Sequence, residues 1–204
     1  MKCLLRSVVL ASAFALIAGF ASVATAKTPA IAPEFGQSLP PVGFVKFCVA
    51  NPTECKTVGR RVKRAELSPK QWATLYQVNA LVNSKIAPIS DQELYGEAEF
   101  WTYPVTAGDC EDYLLLKKRY LEQAGFDAGA LLITVVLDEN KSGHAVLTIA
   151  SDAGDYILDN RRNDILLWND TGYDFLKRQS RENPRQWQAL TATKDTNIKS
   201  VSGN

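Results

Sequence analysis

Two periodicities divide the chain. From about residue 40 to residue 125 apolar positions recur at helical spacing, and from residue 130 to residue 160 they fall into short β-branched blocks broken by turns. "LPPVGFVKFCVA" reads as a short helix ending at "NPTEC", and "LSPKQWATLYQVNALVNSKI" as a longer one. The second has a strong start, with Ser68 as N-cap, Pro69 at the first helical position and Gln71 completing a capping box. Trp72, Leu75, Val78 or Asn79, and Val82 recur along it, so one face packs on a core. "GDCEDYLLLKKRYLEQAG" is a third helix, capped by Asp109, with Asp112 where a capping side chain can reach back and Gly125 at C′. Cys110 then stands on its first turn. The intervening "PISDQELYGEAEFWTYPVTAG", broken by two prolines and two glycines, reads as irregular and draped over whatever site the helix start forms.

Beyond Gly125, "ALLITVVL", "HAVLTIA" and "YILDN" read as three strands joined by the turns "DENKSG" and "SDAGD". Trp168, Tyr173, Phe175 and Trp187 follow as core or sheet-packing aromatics. Helices first and an antiparallel meander after them make the class α+β.

The first 26 residues are excluded from the fold. Lys2 and Arg6 precede an apolar run that is short and rich in small residues, and "ATA" at Ala24 to Ala26 offers a cleavage site, which together read as a secretory signal peptide. The alternative is an uncleaved anchor; nothing before Lys27 has a stop-transfer flank, so no stable membrane span is expected after cleavage. About 178 residues remain, enough for one domain from residue 27 to 195, with a polar, frayed tail over 196–204. Removal of Lys2 and Arg6 leaves 21 basic residues against 22 acidic ones, a balance that argues against nucleic acid as a partner. The cluster "KTVGRRVKR" reads as a solvated face.

Export makes the cysteines informative. Cys48 and Cys55 flank an Asn-Pro turn, and pairing them closes a loop worth about 2.5 kcal/mol. Cys110 is left over, set among Asp109, Glu111 and Asp112. A thiol that acts as a nucleophile needs a base, and the chain has a single histidine, His144, at the start of the second strand. A third group should orient the imidazole. Asp159 in "YILDN", on the neighbouring antiparallel strand, lies within reach, whereas Asp152, Asp155 and Asp164 sit in turn-like, solvent-favouring surroundings.

The carboxylates beside Cys110 pose a difficulty. One of them about 5 Å from a thiolate costs roughly 3 kcal/mol at an effective dielectric near 20, or about two pKa units in the wrong direction. On a helix, side chains at i+1 and i+2 diverge from residue i, so Glu111 and Asp112 are expected to face away from the sulfur. The helix N-terminus then favours the thiolate.

"GDCEDY" on a helix, then "HAVL" and "YILDN" on strands, with "GFVKFCVANPTEC", "VNALVN" and "FWTYP", resembles the bacterial transglutaminase-like cysteine proteinases over roughly residues 40 to 190. The resemblance implies a papain and transglutaminase core, in which the cysteine-bearing helix packs on an antiparallel sheet. It implies Cys110 as nucleophile, His144 as general base and then acid, and Asp159 as orienter. It implies a periplasmic endopeptidase acting through an acyl-enzyme on an exported or surface protein, an adhesin in the family's best-known systems. It also implies Ca²⁺ held by Asp109, Glu111 and Asp112, against the simpler reading in which these residues only cap the helix. The Cys110 N–H would stabilise the oxyanion with one further donor, for which Trp101 or its loop is the nearest candidate in sequence. A transglutaminase, passing the acyl group to an amine, and a non-catalytic calcium- or peptide-binding module are the alternatives. Substrate, oligomeric state and any regulator are not readable from the chain.

Overall fold

A computed structural model describes residues 28–57 and 64–192. The leader at 1–26, the tail at 196–204 and residues 58–63 of the basic cluster lie outside the described residues. The helices are α1 (Val42–Ala50), α2 (Pro69–Lys85), α3 (Asp91–Tyr95) and α4 (Cys110–Gln123). The strands are β1 (Gln37–Ser38), β2 (Ala87–Pro88), β3 (Ala107–Gly108), β4 (Leu131–Leu137), β5 (Gly143–Ser151), β6 (Gly154–Asp159), β7 (Arg162–Leu167), β8 (Asp174–Gln179) and β9 (Trp187–Ala189). Seven strands form one antiparallel sheet in the order β1-β9-β8-β4-β5-β6-β7, and β2 pairs with β3 in a small parallel ribbon. This is an α+β fold, with helices packed on an antiparallel sheet.

Local chemistry accounts for the helix starts. Ser68 and Gln71 close the capping box of α2: Gln71 N–H donates to Ser68 Oγ at 3.3 Å, and Ser68 N–H to Gln71 Oε1 at 3.0 Å. Leu75, Val78, Asn79 and Val82 form its buried face. The segment expected to be irregular contains a short helix, α3, because Ser90 and Glu93 make a second capping box. Gly125 ends α4 with a φ of 94°, a left-handed position that a side chain would strain.

Both faces of the sheet are covered, which explains why β4 reads as a continuous apolar run instead of alternating. Val82, Leu114, Leu121, Leu147 and Leu158 pack between the helices and one face, while Val136, Val146, Ile157 and Phe175 fill the other. Helix α2 also reaches the turn after β6: Asn83 Nδ2 donates to the Asp159 carbonyl at 3.0 Å, and Asn79 Nδ2 to the Arg162 carbonyl at 3.0 Å. Two asparagines thus hold the end of β6 in place. The Cys48–Cys55 disulfide is present and staples the end of α1.

Asp155, expected in solvent, is fully buried. The N-terminal segment lies over the β5–β6 turn, so Asp155 accepts from Ala32 N–H at 2.9 Å and pairs with Arg178 at 2.7 Å and with Arg64.

Candidate active site

Cys110 is the first residue of α4, buried with 4% of its surface exposed, and is not in a disulfide. Its helix starts against the β2–β3 ribbon and α3. Gly108 is required there, because the Asp112 side chain lies 2.4 Å from where a Cβ would project. The cap expected from the Asp109 side chain does not form, whereas Asp112 does reach back to the Asp109 backbone. Asp109 occupies the N-cap position without a side-chain cap bond; its Oδ2 accepts the Asp91 N–H at 3.2 Å. Asp112 Oδ1 accepts the Thr102 N–H at 2.9 Å. Both carboxylates reach across to the preceding segment, because that segment folds against the helix start and presents its own N–H groups.

Glu111 also departs from expectation. The Cys110 thiol donates to Glu111 Oε2 at 3.1 Å. The two Cβ atoms diverge, but the glutamate arm is long enough to curl back once both side chains are sealed from water. Trp101 does not line the cleft: its indole N–H donates to Glu99 at 2.9 Å and its ring packs on Phe44.

Four carboxylates therefore meet beside the thiol. Asp91, Asp109 and Asp112 each bring an oxygen within 4.8 Å of the others, and Asp109, Cys110 and Glu111 form a second such group. Asp91 Oδ1, Asp109 Oδ1, Glu111 Oε1 and Asp112 Oδ2 are buried and accept no hydrogen bond. Burial first, then repulsion among them and from Glu99, pushes Asp91 up to about 6 and Asp112 up to about 8, and raises Asp109 and Glu111. Oxygens crowded at this density without donors are the set that a hard divalent cation coordinates. Asp91 escaped sequence reasoning because it sits in a segment read as irregular; its capping box was the available signal.

Opposite stands a polar arm. His144, at the start of β5, places Nε2 3.0 Å from Asp159 Oδ1 at the end of β6, and both side chains are almost wholly buried. Nε2 is thereby committed to the carboxylate, which leaves Nδ1 as the ring nitrogen that Asp159 does not engage. Asp159 Oδ2 accepts the Tyr173 hydroxyl at 2.6 Å, and Oδ1 also accepts the Arg161 N–H at 3.0 Å. Burial works to raise Asp159, but the hydrogen bond and charge of His144, then Tyr173, outweigh it and hold the carboxylate well below its usual range. Tyr173 packs edge-on against the imidazole, ring centroids 5.6 Å apart. As its sequence position suggests, it also belongs to a buried cluster; its hydroxyl contact with Asp159 is what the sequence does not disclose. Behind Cys110 on α4, Lys117 is buried, and burial pushes its amine down to about 7 against the pull of Asp159.

Cys110 and His144 line one cleft of about 810 Å³, walled by Ser90, Gln92 and Glu93 on one side and by Asn160 and Arg161 on the other. A cysteine at a helix start, packed on an antiparallel sheet that carries a histidine, is the arrangement of the transglutaminase-like cysteine peptidases. The chain belongs to one family of them: the sequence profile described as "Bacterial transglutaminase-like cysteine proteinase BTLCP" matches residues 34–195. Among solved structures, calcium-bound LapG of Legionella pneumophila is similar, with a TM-score of 0.51 and 24% identity over 61% of this chain and 72% of that one. Another structure of the same Legionella pneumophila protein gives a TM-score of 0.50 and 24% identity over 59% of this chain and 70% of that one. These likenesses bear on the fold. No curated protein matches the sequence.

Proposed function

We propose that the protein is an exported cysteine endopeptidase in which Cys110 is the nucleophile, His144 the general base and acid, and Asp159 the orienting carboxylate. The observation that carries this reading is the His144–Asp159 pair at 3.0 Å, opening on the cleft that Cys110 also lines. His144 Nδ1 takes the thiol proton and the Cys110 sulfur adds to a peptide carbonyl carbon. The C–N bond then breaks as the imidazolium returns its proton to the leaving amine. Water, deprotonated at the same nitrogen, adds to the thioester; the C–S bond breaks and a carboxylic acid leaves. Asp159 and Tyr173 keep the ring aligned and stabilise the imidazolium throughout.

Asp109, Glu111 and Asp112, joined by Asp91, would hold Ca²⁺; the calcium-bound relative and the orphan oxygens support this reading. When bound, the ion supplies positive charge that offsets the carboxylates beside the thiol. The leader sequence and the family support a periplasmic location and an exported or surface protein, such as an adhesin, as substrate. Among the described residues no helix is long and apolar enough to cross a membrane. The test is to incubate the mature protein with exported-protein extracts, in Ca²⁺ or in EGTA, and to map new N-termini against Cys110→Ala. Cleavage is expected with wild type in Ca²⁺ alone. No Cys110-dependent cleavage in either condition sinks the peptidase, equal cleavage in EGTA sinks the calcium requirement, and amine incorporation without hydrolysis decides for a transglutaminase.

A further inference from the structure

We propose that Asn160 is a substrate-binding residue of the cleft, its side-chain amide taking a main-chain N–H of the bound peptide; this rests on Cys110 and His144 being the catalytic pair. Asn160 stands in the turn between β6 and β7, immediately after Asp159. The turn is held from two sides, by Arg161 N–H on Asp159 Oδ1 and by Asn83 on the Asp159 carbonyl. Asn160 lines the same cleft as Cys110 and His144, and its Oδ1 is buried with no donor among the described residues. Two other polar groups on the walls are committed: Ser90 Oγ donates to Glu93, and Arg161 pairs with Asp138 and Glu139. A buried amide oxygen left without a donor is costly. A peptide laid across the cleft offers a donor at every residue except proline. The bond is present before and during reaction, so it contributes to affinity rather than to the chemical step. It is also blind to side chains, and so helps the site accept an extended chain without choosing its sequence.

The test uses the intact protein in Ca²⁺ and two thiol probes. Iodoacetamide reports the nucleophile alone, and a series of blocked tripeptidyl vinyl sulfones reports the nucleophile together with peptide binding. Asn160→Ala should slow vinyl sulfone labelling about tenfold, the worth of one hydrogen bond, while the iodoacetamide rate stays within about twofold. Asn160→Ser, which suits a turn, should do the same and guards against misfolding. Methylating the one amide that Asn160 takes should slow wild type about tenfold and Asn160→Ala no further. Equal labelling of wild type and variant by the peptidyl probes overturns the proposal. So does a parallel fall with both probes, which marks an effect passed through Asp159. Wild type inert to both probes overturns the catalytic pair and this proposal together.

Discussion

Asp155 and the carboxylates at the start of α4 are equally hidden from water, yet they are opposite kinds of burial. Asp155, at the beginning of β6, meets two guanidiniums and a backbone N–H, and both of its oxygens are used. Asp91, Asp109, Glu111 and Asp112 meet mainly one another, each keeps an oxygen without a donor, and among the described residues no Lys or Arg pairs with them. A buried ion costs several kcal/mol unless it is compensated. The first site is compensated within the fold and is structural. The second is left uncompensated by the fold, which raises its carboxyls and, on the reading proposed above, suits it to a cation from outside.

The largest expected effect breaks the compensated site. Arg178→Met removes a partner that is 2% exposed from a carboxylate that is fully buried, and should destabilise the protein by about 3 kcal/mol, at the low end for a broken buried pair because Arg64 and Ala32 remain. Calcium affinity should be unchanged. Denaturant unfolding and calcium titration of the variant check both halves. A loss of calcium binding would mean that the two ends are coupled and the contrast false.

Next in size is the response of the uncompensated site to its ion. Calcium at about 100 times its Kd should add about 2.7 kcal/mol, a rise of roughly 5–10 °C in Tm for a chain of this size. Asp112→Asn keeps the acceptor for Thr102 but removes a ligand charge, and should abolish most of that rise while stabilising the chelated protein by about 1 kcal/mol. The pH dependence has a definite sign. Asp91 and Asp112 are raised to about 6 and about 8, so the folded, chelated protein binds protons that the unfolded chain releases. Their contribution is full below the ordinary carboxylate range and is lost as pH rises through 6 and 8. Thermal melts in EGTA should fall over that window, less steeply in Asp112→Asn, whereas calcium should flatten the slope by favouring the ionised forms. A flat profile in EGTA would remove the claim of uncompensated charge.

The contrast also marks what the sequence could and could not disclose. Helix α2, the β4–β6 meander, the Cys48–Cys55 bridge and the neighbourhood of His144 and Asp159 were all legible, because capping residues, turn residues and two-residue periodicity are local signals. Asp155 was misjudged because its partners lie 23 residues ahead at Arg178 and 91 residues behind at Arg64, and no local pattern carries such a pairing. Glu111 was misjudged for a different reason. The spacing rule describes where Cβ atoms point, while the Glu111 carboxylate sits three bonds farther out and follows the dry cavity that encloses it. Tyr173 looked like any aromatic before a strand, since only the fold brings its hydroxyl to Asp159.

That hydroxyl gives the smallest test. Asp159 resembles Asp155 in having both oxygens engaged, but its nearest partners are an imidazole, a phenol and a backbone N–H, with the Arg162 guanidinium farther off at 3.7 Å, so its charge remains available to His144. Tyr173→Phe keeps the ring against the imidazole and removes one donor at 2.6 Å. The loss is about 1 kcal/mol, which appears as roughly a fivefold fall in kcat if the hydroxyl serves to hold the carboxylate in line. KM should be unchanged, since Tyr173 is not among the residues that line the cleft. Asp159 should remain ionised at neutral pH, since His144 is a larger cause of its lowered pKa than Tyr173, so the pH profile should keep its shape. A variant with wild-type kcat but a lower Tm would return Tyr173 to the role its sequence suggests, an aromatic that packs.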